Sequence, residues 1–328
     1  MSRLNELRMI ARVAQMYHVE NQRQADIAKH LLISQATVSR MLKRAQEEEI
    51  VRTTVVAPSG TYADLETALR SKYGIAEAIV VECSEDREGA IMARIGEAAA
   101  HFVEATLQPS EIIGVSSWSE TILKMVENIH PMKTSKAKYV VQTLGGMGDP
   151  TVQFHANQLT TRLAKLTGAD AHLLSAPGVA QSREAKLVLL GDSYLRETME
   201  LFEKVTLSFI GIGAIEPSGM LAKSGNVFSA RELEAVKEAG GVGDIGLRFF
   251  DQDGQQVRPP LDDRVIGMTL DELSKIDRVI ALAGGHSKTL AIHGALKAGV
   301  IDILVTDKFT AERLTEDTFD QDNGEQKT

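Results

Sequence analysis

Apolar residues at Leu4, Leu7, Ile10, Ala14 and Tyr17 recur at helical spacing and predict a first helix ending near His18. Polar Asn21 and Gln22 interrupt it. A second helix follows from about Arg23 to His30, with Ile27, Ala28 and Leu31 facing inward. Ser34 then caps a third, whose Val38, Met41, Leu42 and Ala45 share one stripe. Glu47, Glu48 and Glu49 close that helix at the end where its dipole disfavours acids. The β-branched run at 51–56 predicts a small wing strand, and the Pro-Ser-Gly at 58–60 a hinge.

Beyond the hinge the pattern changes. A helix over 62–73 precedes strand-like runs at 78–81, 112–115, 139–142, 171–174, 206–212, 278–283 and 303–306. Helical segments separate most of them, at 87–107, 119–129, 154–167, 184–191, 194–203 and 287–298. Strands alternating with helices of this length predict an α/β fold whose mostly parallel, Rossmann-like sheet is covered on both faces. The expected organisation is a small all-α domain at 1–57, a large α/β domain at 58–315 and a polar, acidic tail at 316–328.

The second and third helices, joined by a tight turn, have the layout of a helix-turn-helix, which sets the later helix of the pair in the DNA major groove. Gln35, Thr37, Ser39, Arg40, Lys43 and Arg44 lie off its apolar stripe. The first four suit base edges or nearby phosphates; Lys43 and Arg44 suit phosphate. Charge adds to this. The chain of 328 residues has a net charge of −9, but residues 1–52 carry +3 and the remainder −12. A weakly basic head on an acidic body fits phosphate contact by one end and argues against a protein coated in nucleic acid.

A single cysteine, Cys83, excludes an internal disulfide and a Cys-rich zinc site. The eight histidines show neither His-x-x-x-His nor His-Glu-x-x-His spacing, so no metal site is expected; no cofactor is expected either. No apolar run approaches the roughly 20 residues of a bilayer span. The first residues lack a signal peptide's apolar stretch. The expected location is cytoplasmic, with no membrane partner.

In an open α/β sheet, ligands sit outside the C-terminal ends of the strands, where loops run into helices. Four predicted strand ends carry suitable residues. Ser116, Ser117, Trp118, Ser119, Glu120 and Thr121 follow one strand and enter a helix, offering hydroxyls and free amides as a phosphate cradle. Gly145 and Gly146 follow the next, and Gly211 and Gly213 another. Gly284 and Gly285 open the turn that leads to Lys288. A glycine at a strand end also serves a simple turn; four such turns on successive crossings favour a shared anionic ligand. Neither nucleotide fingerprint, Gly-x-Gly-x-x-Gly with a later acid or Gly-x-x-x-x-Gly-Lys-Ser/Thr, is present, against a dinucleotide or ATP enzyme. Asp244, between Gly243 and Gly246, either caps a turn or accepts hydrogen bonds from sugar hydroxyls. Packing and ligand contact explain Trp118, the only tryptophan, equally well.

With these residues in place, the chain resembles the SorC-type sugar-binding transcriptional regulators, a group that includes bacterial deoxyribonucleoside, central glycolytic gene and autoinducer-uptake regulators. In the head the likeness rests on Tyr17, Gln24, Ile27, Ala28, Ser34 and residues 37–42. In the body it rests on residues 65–73, 114–121, 145–146, 156–157, 211–214, 243–245 and 283–285, with Lys288 and residues 305–307. The resemblance implies a body related to sugar-phosphate isomerase folds that binds a phosphorylated sugar, assembly as a dimer or tetramer, and operator DNA whose affinity the sugar alters. It implies that residues 116–121 with Gly145 and Gly146 line the phosphate end, and that Asp244, Gly284, Gly285 and Lys288 line the sugar or phosphate rim. Repression is the family's habit; the sequence itself does not choose repressor or activator, nor name the sugar.

The chain departs from that family where glycine is usual at Asn21, Leu32, Glu49 and Ser119. Either the three head turns adopt another geometry or the head is strained. Two rival readings remain. One is a sugar-phosphate isomerase-like enzyme with a DNA-binding appendage, using Asp244 as base and Lys288 as electrostatic stabiliser. The other is an architectural DNA binder without a ligand, for which an acidic body is a poor design.

Overall fold

The computed structural model describes residues 3–51, 58, 60–132, 137–217, 219–226 and 228–316. It divides into two compact units, Met1–Pro58 and Ser59–Thr328.

The first unit holds helices α1 (Arg3–His18), α2 (Gln24–Leu31) and α3 (Gln35–Glu47). Its core is Ile10, Val13, Ala14, Met16, Ile27, Ala28, Val38, Leu42 and Ala45. The phase of α1 differs from the expected stripe. Val13 and Met16 are buried, whereas Leu4 and Tyr17 are exposed, because three helices around so small a core can each bury only a narrow strip. Ser34 caps α3 as expected, its Oγ accepting the Thr37 N–H at 3.1 Å. Of the expected wing strand only Val51 is described; residues 52–56, like the tail from 317 onward, lie outside the described residues.

The second unit opens with α4 (Ala63–Tyr73) and β1 (Glu77–Val81). Then come α5 (Glu88–Thr106), β2 (Glu111–Val115), α6 (Glu120–Asn128), β3 (Ala137–Gln142), α7 (Pro150–Thr167) and β4 (Asp170–His172). After α8 (Arg183–Leu189) and α9 (Ser193–Glu200) the chain returns through β5 (Leu207–Ile210). Next are β6 (Gly213–Ala214), α10 (Gly219–Ser224), α11 (Ala230–Glu238), β7 (Gly241–Ile245) and β8 (Arg248–Asp251). It finishes with α12 (Leu270–Leu273), β9 (Arg278–Leu282), α13 (Thr289–Lys297), β10 (Ile303–Asp307) and α14 (Lys308–Thr315).

Seven strands form one parallel sheet in the order β1-β10-β9-β5-β2-β3-β4. All seven coincide with the strand-like runs of the sequence. Buried residues of both faces, such as Ile113 and Val140 on one side and Val141 and Ala281 on the other, confirm a sheet covered on each side. A second, antiparallel sheet, β6-β7-β8, was not expected; β6 and β7 are short and glycine-rich, and the four residues of β8 are too few to show an alternation. After β2 the chain winds through β3 to β4, and after β5 it winds the other way to β9 and β10. The neighbours β2 and β5, paired with Gly114 opposite Ser208, therefore mark the switch point of the sheet.

The three non-glycine head turns keep the glycine geometry. Asn21, Leu32 and Glu49 have φ of 52°, 54° and 55°. Leu32 closes α2, its N–H donating to carbonyls of the last turn, and the residue is 93% exposed. It thus carries left-handed strain with no packing in return. Leu32→Gly is expected to raise the stability of the head by about 1 kcal/mol, the strain relieved exceeding the entropy a glycine adds to the unfolded chain. Urea unfolding followed by a probe in the head checks this.

Candidate functional site

At the switch point a cavity of about 340 Å³ opens, a size suited to a small ligand. Three strand ends and the small sheet build it. From β2 the chain runs through Ser116 and Trp118 into α6, whose N-terminus faces the cavity with Ser119, Glu120 and Thr121. Ser119 is the N-cap, its Oγ accepting the Ile122 N–H at 3.3 Å. A Cβ on Gly211, at the end of β5, would lie 2.8 Å from that Oγ, so glycine there lets the two loops close together. From the end of β9 comes Lys288, and from β7 comes Asp244.

Asp244 is a strongly perturbed group of the cavity. It sits in β7 opposite Gly213, with its carboxylate against the bare Cα of that glycine and Oδ2 accepting the Leu247 N–H at 2.8 Å. It thus braces a turn, the first of the two readings of the sequence, and it also lines the cavity. Burial pushes its pKa up from the usual 3.8 to about 6, against the opposing pull of the Leu247 amide and the Lys288 charge. Glu120 is engaged too, its Oε1 accepting the Met220 N–H at 2.9 Å, which ties α6 to the start of α10.

Seven of the twelve expected body residues line the cavity: Ser116, Trp118, Ser119, Glu120, Thr121, Asp244 and Lys288. Trp118 is nearly buried and also donates from Nε1 to the Gly145 carbonyl at 2.9 Å. The other five do not line it. The Ser117 hydroxyl donates instead to the Leu144 carbonyl. Gly145 and Gly146 are packing glycines: a Cβ on the first would lie 2.4 Å from the Pro177 carbonyl, and on the second 2.6 Å from the Gln142 amide. Gly284 leaves room for Asp307, and the Gly285 N–H donates to Asp307 Oδ2 at 3.1 Å. Their work is to shape the loops that carry Trp118 and Lys288.

Glu88 and Met92, in the first turns of α5, line the cavity although no spacing or motif in the sequence marks them. The strand before α5, β1, is at the sheet's edge, yet α5 packs over β9 and β10 and against α6. Only the strand order reveals that. Among the described residues no His, Cys, Asp and Glu cluster is arranged to hold a metal ion. Hydroxyls, a helix N-terminus, one lysine and buried or half-buried carboxylates suit a polyol bearing an anionic group.

In the head, Gln35, Ser39, Arg40 and Lys43 are exposed on α3, with Gln35, Ser39 and Lys43 one turn apart along one face. Thr37 is half-buried, its Oγ1 within 2.8 Å of Ser34 Oγ and 3.4 Å of Arg40 Nη2. Arg44 differs from its expected part as a phosphate contact. Its guanidinium binds Glu6 of α1 and Glu48, and the hydrogen bond to Glu6 in particular raises its pKa. In this geometry it braces α1 against α3.

The Asp244 shift has a definite sign for stability. Below about pH 4 the carboxyl is neutral in both folded and unfolded chains. Between about 4 and 6 only the unfolded chain ionises it, so folding weakens as pH rises, reaching a cost of up to about 3 kcal/mol above pH 6. Asp244→Asn removes that cost. The variant is expected to gain on the wild type from about pH 4 to pH 6 and to level off above that, read as the difference in denaturant midpoint at each pH.

Comparison with known proteins sets this geometry among relatives. A family profile described as "Putative sugar-binding domain" matches residues 58–316. The chain is 30% identical over 304 residues to the deoxyribonucleoside regulator of Bacillus subtilis (strain 168), covering 93% of this chain and 96% of that one. It is 27% identical over 315 residues to the transcriptional regulator LsrR of Klebsiella pneumoniae subsp. pneumoniae, covering 95% and 94%. The crystal structure of the full-length sorbitol operon regulator SorC from Klebsiella pneumoniae superposes with a TM-score of 0.71 at 28% identity, covering 94% of this chain and 99% of that one. A profile that spans most of the chain, joined to relatives matched along nearly their whole length, leads to one statement: this chain belongs to the sugar-binding-domain family of SorC-type transcriptional regulators.

Proposed function

We propose that this chain is a DNA-binding repressor of a carbohydrate uptake or catabolism operon, and that a phosphorylated sugar in the switch-point cavity sets its affinity for the operator. One observation carries the reading: a polar cavity lined by a cation, Lys288, and a buried carboxylate, Asp244, at the switch point of a parallel sheet, in a chain that also presents an exposed recognition face on α3. In this reading Lys288 and the amides at the start of α6 hold the phosphate, Ser116 and Ser119 support it, and Asp244 accepts from sugar hydroxyls. Relatives named for deoxyribonucleosides and for a sorbitol operon support a carbohydrate ligand.

Gln35, Ser39 and Arg40 are the base-reading group, with Lys43 on the DNA backbone. A single head reads one half-site, too little surface for tight specific binding, so the working form is a homo-oligomer, dimer or tetramer, bringing paired heads to paired half-sites. Control by the sugar requires that it bind two arrangements of the protein unequally. Among the described residues no helix is long and apolar enough to cross a membrane, in keeping with a regulator that meets DNA directly. The regulator is preferred to an isomerase-like enzyme because proton shuttling needs a titratable partner within hydrogen-bond distance of Asp244, and the hydrogen bond its carboxylate accepts is from the Leu247 amide.

Gln35→Ala and Arg40→Ala are each expected to weaken operator binding about tenfold or more, since a good base contact discriminates by about 1–3 kcal/mol; fluorescence anisotropy on a labelled operator measures this. Lys288→Ala is expected to leave sugar-free operator binding intact and to abolish the thermal shift given by phosphorylated sugars. Loss of sugar-free binding as well would point to a misfolded chain.

A further inference from the structure

The loop that carries Lys288 is not free to move alone. Its Gly285 N–H donates to Asp307 Oδ2 at 3.1 Å and to Thr310 Oγ1 at 2.8 Å, and Asp307 is fully buried. The other oxygen of Asp307 caps α14 through the Thr310 N–H at 3.1 Å. Gly285 adopts φ +102°, and a Cβ on Gly284 would lie 2.3 Å from Asp307 Oδ2, so loop and carboxylate are locked together. Moving the backbone of this loop toward a ligand must drag the start of α14 or leave buried polar groups unpaired, which is expensive.

Directly after Asp307 comes Lys308, whose ammonium pairs with Glu82 at the end of β1, and Glu82 also accepts from the Tyr62 hydroxyl. Tyr62 immediately precedes α4 and stands four residues after Pro58, the last residue of the head. A second leg leaves the same loop. Helix α13 begins at Thr289, directly after Lys288, and its buried His293 holds the Tyr73 hydroxyl at 2.8 Å, at the far end of α4. Both ends of the helix that leads to the head are thus bound to the two elements fixed to the Lys288 loop. Between them α4 rides on β1, with Glu66 accepting from the Val80 N–H and Arg70 paired to Glu77.

We propose that the polar chain Gly285–Asp307–Lys308–Glu82–Tyr62 transmits occupancy of the cavity to α4 and so to the head. Glu82 is its joint: a half-exposed carboxylate shared by an ammonium and a phenol, where contact is made or lost without unpacking the core. The assignment rests on the regulator reading and adds residues that line no part of the cavity.

The test uses the full-length chain and an operator fragment selected by the wild type from random-sequence DNA. The probes are ribose 5-phosphate, erythrose 4-phosphate, fructose 6-phosphate and sorbitol 6-phosphate, with inorganic phosphate beside them. Lys308→Met and Tyr62→Phe are expected to keep probe affinity by calorimetry, and probe-free operator affinity, within about twofold of wild type. The probe's effect on operator affinity, of order 5–150-fold in coupled systems, is expected to fall to about twofold or less, with Lys308→Arg restoring it. Variants that respond to the probe as the wild type does would overturn the proposal alone. So would a parallel loss of probe affinity, which would make Lys308 part of the cavity's support. A wild type that neither binds any probe nor changes its grip on the operator would instead overturn the regulator reading, and the proposal with it.

Discussion

Two neighbouring parallel strands that leave their sheet in opposite directions cannot fill the space above their own ends, and everything functional in the body depends on that constraint. The chain departs β2 toward β3 and departs β5 toward β9, and the gap between the two departures is the cavity. The start of α6 enters from one side, the Lys288 loop from the other, and the small antiparallel sheet rises from the end of β5 to add Asp244. Glycines make these approaches possible where no side chain would fit. Gly211 admits Ser119, and Gly213 admits the Asp244 carboxylate, whose oxygen would lie 2.2 Å from a Cβ there.

The electrostatics of the cavity suit a ligand that brings its own hydrogen-bond donors. Burying Asp244 makes its ionised form costly, and neither the Leu247 amide nor Lys288 fully offsets the loss of water. Hydroxyl groups pointing at the carboxylate would stabilise the anion, so ligand binding and ionisation reinforce each other. One lysine with a helix N-terminus is modest machinery for an anion. In the proposed reading, that arrangement suits a receptor that releases its ligand as well as holding it.

The head is held together differently. Three turns at Asn21, Leu32 and Glu49 take a left-handed backbone without glycine, and the core between the helices is small. Arg44, a basic residue on α3, is engaged by Glu6 and Glu48 rather than offered outward. Internal charge pairing, capping by Ser34 and a narrow apolar strip stabilise the unit, which leaves Gln35, Ser39, Arg40 and Lys43 exposed on the surface.

The periodicity of side chains is a property of neighbours in the chain, and it was enough to reveal all seven strands of the parallel sheet and the three head helices. The turn residues between those segments also marked most of what lines the cavity: the residues before α6, Lys288 and Asp244. Periodicity was silent on β6, β7 and β8: the first two are glycine-rich runs that read as turns, and the third is only four residues long. Local reading assigns Gly145, Gly146, Gly284 and Gly285 to a ligand, whereas tertiary packing sets them against Pro177, Gln142 and Asp307, contacts that no local spacing reveals. Glu88 and Met92 join the site only because α5 crosses the sheet from its edge. Local spacing decides which segments are helices and strands; the order in which strands pair, set by burial of both sheet faces at once, decides which of their ends meet.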